Sequence, residues 1–302
     1  MAKPLVSIIV PSFNQGQFIR ETLESCLAQD YRPLEVVVVD GASSDGTVEV
    51  LHAYDGVPEV RWISEPDSGV VEAVNKGFAR ARGEIAAIQS SDDVYLPGAI
   101  TQGVDALLAD PGLGFAFGDI AKIDAAGGEL SRTALAAFSI ESVLAVQTWI
   151  PQPSCLFRLA LARELGGWRA DVPYAADTDL WFRMMLRAGA RKIDAVLAKR
   201  RMHEAQRDVQ GARVIRDYTR MIHDLFAVYG APPEYRNAAD AGVLLQMNRY
   251  GYGEPEATKR QRWAEAARLY PPLAAGAGRR SRFPIPGVAW LRRVIGLLRR
   301  GA

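Results

Sequence analysis

Cysteine is almost missing from these 302 residues: Cys26 and Cys155 are the only two. They stand far apart and make no CxxC pair, so a disulfide framework is excluded and a reducing compartment is implied. Both read as small buried apolar side chains. Histidine is scarce too, three in the whole chain, which gives little signal for a metal centre built on histidine alone. No apolar run reaches the ~18 residues that a spanning helix needs. The start, Met1-Ala2-Lys3-Pro4, has no signal-peptide core, and the apolar run at residues 5–10 is too short to be one. There is no Walker A run, no GxGxxG and no HExxH, which removes the ATPase, dinucleotide and zincin readings. Net charge is nearly absent as well: 36 Lys+Arg against 35 Asp+Glu gives +1.

That near-zero charge conceals an asymmetry. Residues 279–302 hold seven arginines and no acid, which leaves residues 1–278 at −6. A mildly acidic body carries a basic tail, and such patches meet different partners. On a helical wheel Val288, Trp290, Leu291, Val294, Ile295, Leu297 and Leu298 fill one half of the tail. Arg292, Arg293, Arg299 and Arg300 fill the other. This is the pattern of an in-plane basic amphipathic helix, suited to peripheral membrane contact; the competing expectation is a helix docked on the acidic body. Nucleic acid is not an expected partner, because the body is acidic and no nucleic-acid motif is present. The hydrophobic content of 49% is that of a globular chain with ample core.

Along the chain, apolar runs rich in β-branched residues alternate with stretches of helical period. Residues 5–10, 34–39, 60–63 and 84–89 read as buried strands, and 17–29 and 68–82 as helices. Such alternation implies βαβ units, hence an α/β, doubly wound, mainly parallel sheet. Shorter strands are expected at 114–117, 121–124 and 154–158, and a helix at 177–188. Beyond residue 208 the pattern is helical to about 269, broken at Pro232-Pro233 and Gly251-Tyr252-Gly253. The division that follows is 1–205, a helical extension over 206–270 packed on it, and 271–302 as linker and basic tail.

In an open parallel sheet, ligands sit beyond the carboxyl ends of the strands. Four successive strand ends here deliver Ser12 and Asn14, then Asp40, then Glu65 and Asp67, then Asp92-Asp93. Singly, each is ordinary turn or cap chemistry. Together they place acids and amides on one rim. Adjacent carboxylates at a strand end suit Mg²⁺ or Mn²⁺, which finish their shells with substrate phosphates. With no phosphate-binding glycine loop, the pattern points to a diphosphate held through the metal.

These residues carry a resemblance. Val6-Ser7-Ile8-Ile9-Val10-Pro11-Ser12-Phe13-Asn14 resembles the opening of family 2 glycosyltransferases of the GT-A fold. Asp40-Gly41-Ala42-Ser43-Ser44-Asp45-Gly46-Thr47, Glu65 to Gly69, Asn75-Lys76-Gly77, Ser91-Asp92-Asp93 and Asp177-Thr178-Asp179-Leu180-Trp181 continue it in order, over about residues 5–205. The resemblance implies a GT-A type fold and an inverting, metal-dependent, hexosyltransferase-like enzyme. It would move a sugar from a nucleoside-diphosphate sugar, with a UDP-sugar as the expected donor, to an acceptor hydroxyl. A glycan or lipid-linked acceptor is implied, in cell-surface polysaccharide or glycolipid synthesis. The implied setting is cytoplasmic, at the inner face of the membrane.

By position, Pro11, Ser12, Asn14, Asp40, Asp67 and Asp92 would bind the nucleotide sugar. Asp93 would be the metal ligand, for Mn²⁺ or Mg²⁺, with His203 beside it. Asp177 would be the general base, with Asp179 as the alternative. Trp149 and Gln152 would lie on the acceptor side. Two departures stand out: Ser91 precedes the aspartate pair, so the first Asp of a full DxD is missing, and Ala176 stands where many relatives have Glu. Two rival functions share parts of this pattern. A sugar nucleotidyltransferase would need a glycine-rich basic loop after the first strand, and residues 11–18 hold only Gly16 and no Lys or Arg. A catalytically silent nucleotide-sugar binding protein would not need both Asp93 and Asp177.

Overall fold

The computed structural model describes residues 3–203 and 210–276. The basic tail at 279–302 lies outside them. Strand β1 (Val6–Ser12) is buried at every position. A strand covered on both faces carries apolar residues continuously rather than in alternation, which is why its run is so legible. β2 (Leu34–Asp40), β3 (Val60–Ser64) and β4 (Ile85–Ile88) join it in parallel, in the order β3-β2-β1-β4. Ser12 lies opposite Asp40 and Ile9 opposite Ile88, so the carboxyl ends of these strands form one rim.

Helices α1 (Ile19–Leu27), α2 (Thr47–His52) and α3 (Val70–Arg80) connect these strands and cover both faces. Ile19, Leu23 and Leu51 pack on Val6, Ile8 and Val10. Val71, Val74 and Phe78 pack on Ile9 and Ile88 on the other side. α3 lies so close to β1 that a Cβ at Gly77 would stand 2.3 Å from Ile9 Cγ2. Only glycine fits there.

Beyond β4 the sheet turns mixed. β5 (Val94–Tyr95), α4 (Ala99–Ala109), β6 (Leu113–Ile123), β7 (Glu129–Thr133), α5 (Ile140–Leu144), β8 (Cys155–Arg158), α6 (Leu159–Glu164), α7 (Ala176–Met185) and β9 (Gly189–Arg201) follow in the chain. The sheet order continues β4-β8-β6-β9-β5, with β7 on β6. β8 runs antiparallel to both β4 and β6, while β9 is parallel to β6. The architecture is the GT-A type of α/β sheet.

Two sequence expectations change in detail. The strands expected at 114–117 and 121–124 are one strand, β6. Gly118, between the two expected strands, is a close approach: a Cβ there would lie 2.5 Å from Leu197 Cγ on β9. β9 itself is absent from the sequence reading, because Arg191, Lys192, Asp194, Lys199, Arg200 and Arg201 hide its apolar alternation.

Helices α8 (Gly211–Ala227), α9 (Arg236–Tyr250) and α10 (Glu256–Leu269) occupy the expected helical stretch. α8 buries Tyr218, Met221, Ile222 and Leu225 in the same apolar cluster as Trp181 and Phe182 of α7. The segment expected to be linker from 271 begins instead with a helical turn, α11 (Pro272–Gly276). Its Leu273 is buried against Ala241 and Ala266, and burying that side chain holds the turn in place. Among the described residues, no helix is long and apolar enough to cross a membrane.

Candidate active site

The rim starts where β1 and β2 end. Pro11 and Ser12 are buried, and Ser12 Oγ has no hydrogen-bond partner. A buried hydroxyl without a partner costs free energy, so it marks a place where a ligand can bind. Asn14 takes a left-handed conformation (φ 52°), which Asn tolerates better than most residues. It staples two loops: its amide N–H donates to Ser43 Oγ at 2.7 Å, and its Oδ1 accepts from Ser44 N at 3.0 Å. Phe13, between them, is 58% exposed, a large apolar ring standing on the rim.

Asp40, expected to meet the nucleotide, lies at the end of β2. It is fully buried, and its Oδ2 accepts from Ser43 N at 2.9 Å and Ser64 Oγ at 2.7 Å. Its carboxylate is therefore spent on bracing the 43–44 loop and the end of β3, and no face of it is open to a base. Asp67 is half-buried, accepts from Gly69 N at 2.8 Å, and lies against Gly41.

The aspartate pair divides. Asp92 is partly exposed, and its Oδ2 lies 2.9 Å from His203 Nε2. These two groups come from sequence positions 111 residues apart, brought together at the ends of β4 and β9. Asp93 points the other way. It is 3% exposed, and its Oδ1 accepts from Arg201 N at 2.8 Å. Burial, and after it the charge of Asp92, pushes the Asp93 carboxyl well above the usual carboxylate range. The side chain that meets His203 is that of Asp92, whereas Asp93, expected from the resemblance as the metal ligand, meets the Arg201 N–H.

Arg201, which sequence reasoning did not single out, holds this arrangement. It is 1% exposed. Its Nε donates to the Asp92 carbonyl at 2.9 Å, and its guanidinium pairs with Glu21 and lies 4.9 Å from the centre of the Phe18 ring. The same ring lies 5.1 Å from that of His203. A buried guanidinium needs such a set of partners.

On the far side of the sheet, α7 presents two acids in its first turn, where the helix dipole favours negative charge. Their surroundings separate them. Asp179 is 2% exposed and forms ion pairs with Arg183 at 2.6 Å and Arg169 at 3.2 Å. Burial raises its pKa, and the two arginines act against that rise. Arg183 in turn donates to the carbonyls of Leu165 and Gly167 at 2.6 and 2.7 Å. Asp179 therefore fastens the start of α7. Replacing it by Ala would leave the fully buried Arg183 without its carboxylate, while Arg169 keeps Asp171 and Asp224, and is expected to cost about 3–5 kcal/mol. Urea denaturation measures this; an unchanged midpoint would contradict the structural role.

Asp177 is half-buried and lines a small cleft that opens to solvent. The cleft wall includes Trp149, Trp181 and Phe182 with Thr148, Gln246 and Arg249. Asp177 Oδ1 accepts from Thr178 N at 2.7 Å. The turn entering α7 is fixed by the fully buried Asp217, which accepts from Tyr174 N at 2.9 Å. Cleft and rim are joined by one short segment. Three residues after Trp149, Gln152 accepts from Ser90 Oγ at 3.2 Å and also donates to the Ile88 carbonyl. The Gln152 amide is thus tied to the end of β4, while Trp149 belongs to the cleft. The charge of Asp177 reaches back to Cys155 on β8, whose thiol is pushed up by burial and then by that charge.

Residues 7–159 match the family model for glycosyl transferase family 2. The chain belongs to that family. The glycosyltransferase is 31% identical over 79% of its length to an uncharacterized protein, MT1568, of Mycobacterium tuberculosis, of which it covers 81%. It is 30% identical over 67% of its length to an uncharacterized glycosyltransferase of Rickettsia felis, but spans only 35% of that longer protein. Its fold is similar to that of a mannosyltransferase, PcManGT, of Pyrobaculum calidifontis, solved with GDP-Man and Mn²⁺ (TM-score 0.64, 23% identity, 98% of this chain and 81% of that one). The family match ends before α7, β9 and the C-terminal helices. The glycosyltransferase's Asp177, Arg201, His203 and Arg249 therefore lie outside that match.

The residues facing His203 fit a divalent cation. The carboxylate oxygen of Asp92 suits Mn²⁺ or Mg²⁺, whereas an imidazole nitrogen is more usual on zinc, copper, iron or nickel. No cluster of three or more His, Cys, Asp or Glu able to hold a metal occurs among the described residues. The protein would supply few ligands and leave the rest to phosphates and water, as these ions commonly require.

Proposed function

We propose that this glycosyltransferase moves a sugar, with inversion, from a nucleoside-diphosphate sugar to an acceptor hydroxyl. One observation carries the reading: the Asp92–His203 pair at the strand-end rim is joined by residues 149–152 to a cleft lined by Asp177. In this reading residues 1–205 are the transferase domain and 206–270 its helical extension. Asp92 and His203 hold Mn²⁺ or Mg²⁺, which when bound offsets the negative charge of the leaving diphosphate. Pro11, Ser12, Asn14 and Asp67 line the nucleotide side. Ser12 Oγ offers its unused hydrogen bond there, and the exposed Phe13 ring is a surface on which a base can stack. Asp40 and Asp93 position the loops around these groups.

Asp177 takes the proton of the acceptor hydroxyl as the acceptor oxygen bonds to the anomeric carbon and the bond to the diphosphate breaks. Trp149 and Trp181 exclude water on the acceptor side. The family resemblance implies a UDP-sugar donor, whereas the similar mannosyltransferase was solved with GDP-Man. Thermal-shift titration of UDP, GDP and dTDP decides between them, because a ligand of the native state raises stability by about 2.7 kcal/mol at a hundred times its Kd. One diphosphate should stabilise the protein, and only with Mn²⁺ or Mg²⁺ present. Equal melting with every nucleotide would refute the donor site.

The seven arginines of residues 279–302 support a further part of the reading: peripheral attachment to an anionic membrane face, where a lipid-linked or cell-envelope acceptor is made. Each well-placed arginine would contribute roughly 1 kcal/mol. Vesicles containing phosphatidylglycerol should float the full chain and not a chain ending at residue 278. Equal flotation of the two would remove the membrane role.

A further inference from the structure

The cleft at Asp177 holds more unused polar chemistry than water exclusion needs. Thr148 Oγ1, Trp181 Nε1 and Gln246 Oε1 are buried atoms with no hydrogen-bond partner, and all three residues line it. Thr148 is 4% exposed and Trp181 1%. Three such groups gather around this one cavity, whereas most buried polar groups in proteins are paired. Arg249 of α9 lines the same cleft. Its guanidinium lies 5.4 Å from the centre of the Tyr250 ring.

The donors and acceptors sort by type. The Trp181 N–H and the Arg249 guanidinium can only donate, and the second carries a full charge. They match an oxyanion. Gln246 Oε1 accepts and the Thr148 hydroxyl does either, which matches sugar hydroxyls. A cation in a wall built largely of apolar side chains gains most from a ligand that brings the opposite charge.

We propose that this cleft selects an acceptor sugar bearing an anionic group, a carboxylate or a phosphate, and that Arg249 is the residue that reads it. The inference rests on the reading of the Asp177 cleft as the acceptor side. Gln246 and Arg249 come from the helical extension, beyond the segment matched by the family model. The carboxylate of a uronic acid and the phosphate of a sugar phosphate share the chemistry, and separate probes tell them apart.

The test uses the full chain with its nucleotide site filled by the diphosphate that stabilises it. Binding of glucuronate, glucose 6-phosphate and glucose is followed by saturation-transfer NMR. At least one anionic sugar should bind roughly tenfold or more tightly than glucose. Arg249→Gln should erase that difference, and Arg249→Lys should restore part of it. Thr148→Val, an isosteric change, should weaken all three sugars together and so places them in this cleft. Equal binding of the three sugars to the wild-type chain would overturn the proposal, as would an anion preference that survives in Arg249→Gln. Binding of the nucleoside diphosphate is measured on the same samples. Its loss in the wild-type chain would count against glycosyl transfer itself, whichever way the sugar comparison falls.

Discussion

Asp177→Asn is expected to lower sugar transfer by roughly 100- to 10,000-fold, the usual contribution of a positioned general base. The amide keeps the shape and still accepts the hydrogen bond from Thr178 N, so the start of α7 stays as it is. What it loses is the ability to take a proton. Because the base acts on the acceptor and not on the nucleotide, Kd for the nucleoside diphosphate should stay within about twofold. The competing assignment, Asp179, predicts something else. That carboxylate is held by Arg183 and Arg169 and buried, so its loss should show in stability. A variant Asp177→Asn with unchanged turnover would move the base elsewhere.

The second large effect separates two neighbours. Asp92→Asn and His203→Ala should each raise the Mn²⁺ concentration needed for nucleotide binding by at least roughly tenfold, the scale seen when groups around a metal are removed. Asp93→Ala should leave the metal requirement alone. It removes the acceptor for the Arg201 N–H, and an unsatisfied buried donor costs about 1–3 kcal/mol. A metal titration and a melting curve on the three variants give opposite patterns for the two aspartates. If Asp93→Ala changes the metal requirement and Asp92→Asn does not, the original sequence assignment stands and the geometric one fails.

The contrast at this pair shows what a sequence can carry. Asp92-Asp93 is plain as a motif, because two adjacent acids at a strand end are rare chemistry. Which of them faces outward depends on the twist of the chain leaving β4 and on the arrival of Arg201 from β9. That strand was invisible because its charges mask the alternation. Asp40 is similar: the strand end predicts its place, but only the fold shows that Ser43 and Ser64 consume its oxygens. β1 to β4 were legible because buried parallel strands are continuous apolar runs. The base could be narrowed to Asp177 or Asp179 by motif alone, and burial against Arg183 separates them. Thr148, Gln246 and Arg249 gave no sequence signal, since single polar residues in helices and loops become a site only when tertiary packing gathers them. For Trp181, read from sequence as core, the structure agrees on burial and adds an unpaired N–H at the cleft.

The account's central claim is spatial: a diphosphate beside Asp92 and His203, and an anomeric carbon at the mouth of the Asp177 cleft. A crystal structure of the Asp177→Asn variant with Mn²⁺ and its preferred nucleotide sugar measures that directly. The account predicts the metal against Asp92 and His203, the base on the side of Ser12 and Phe13, and the sugar's anomeric carbon open to residue 177. A nucleotide sugar bound away from that rim, or a metal on Asp93, would contradict it.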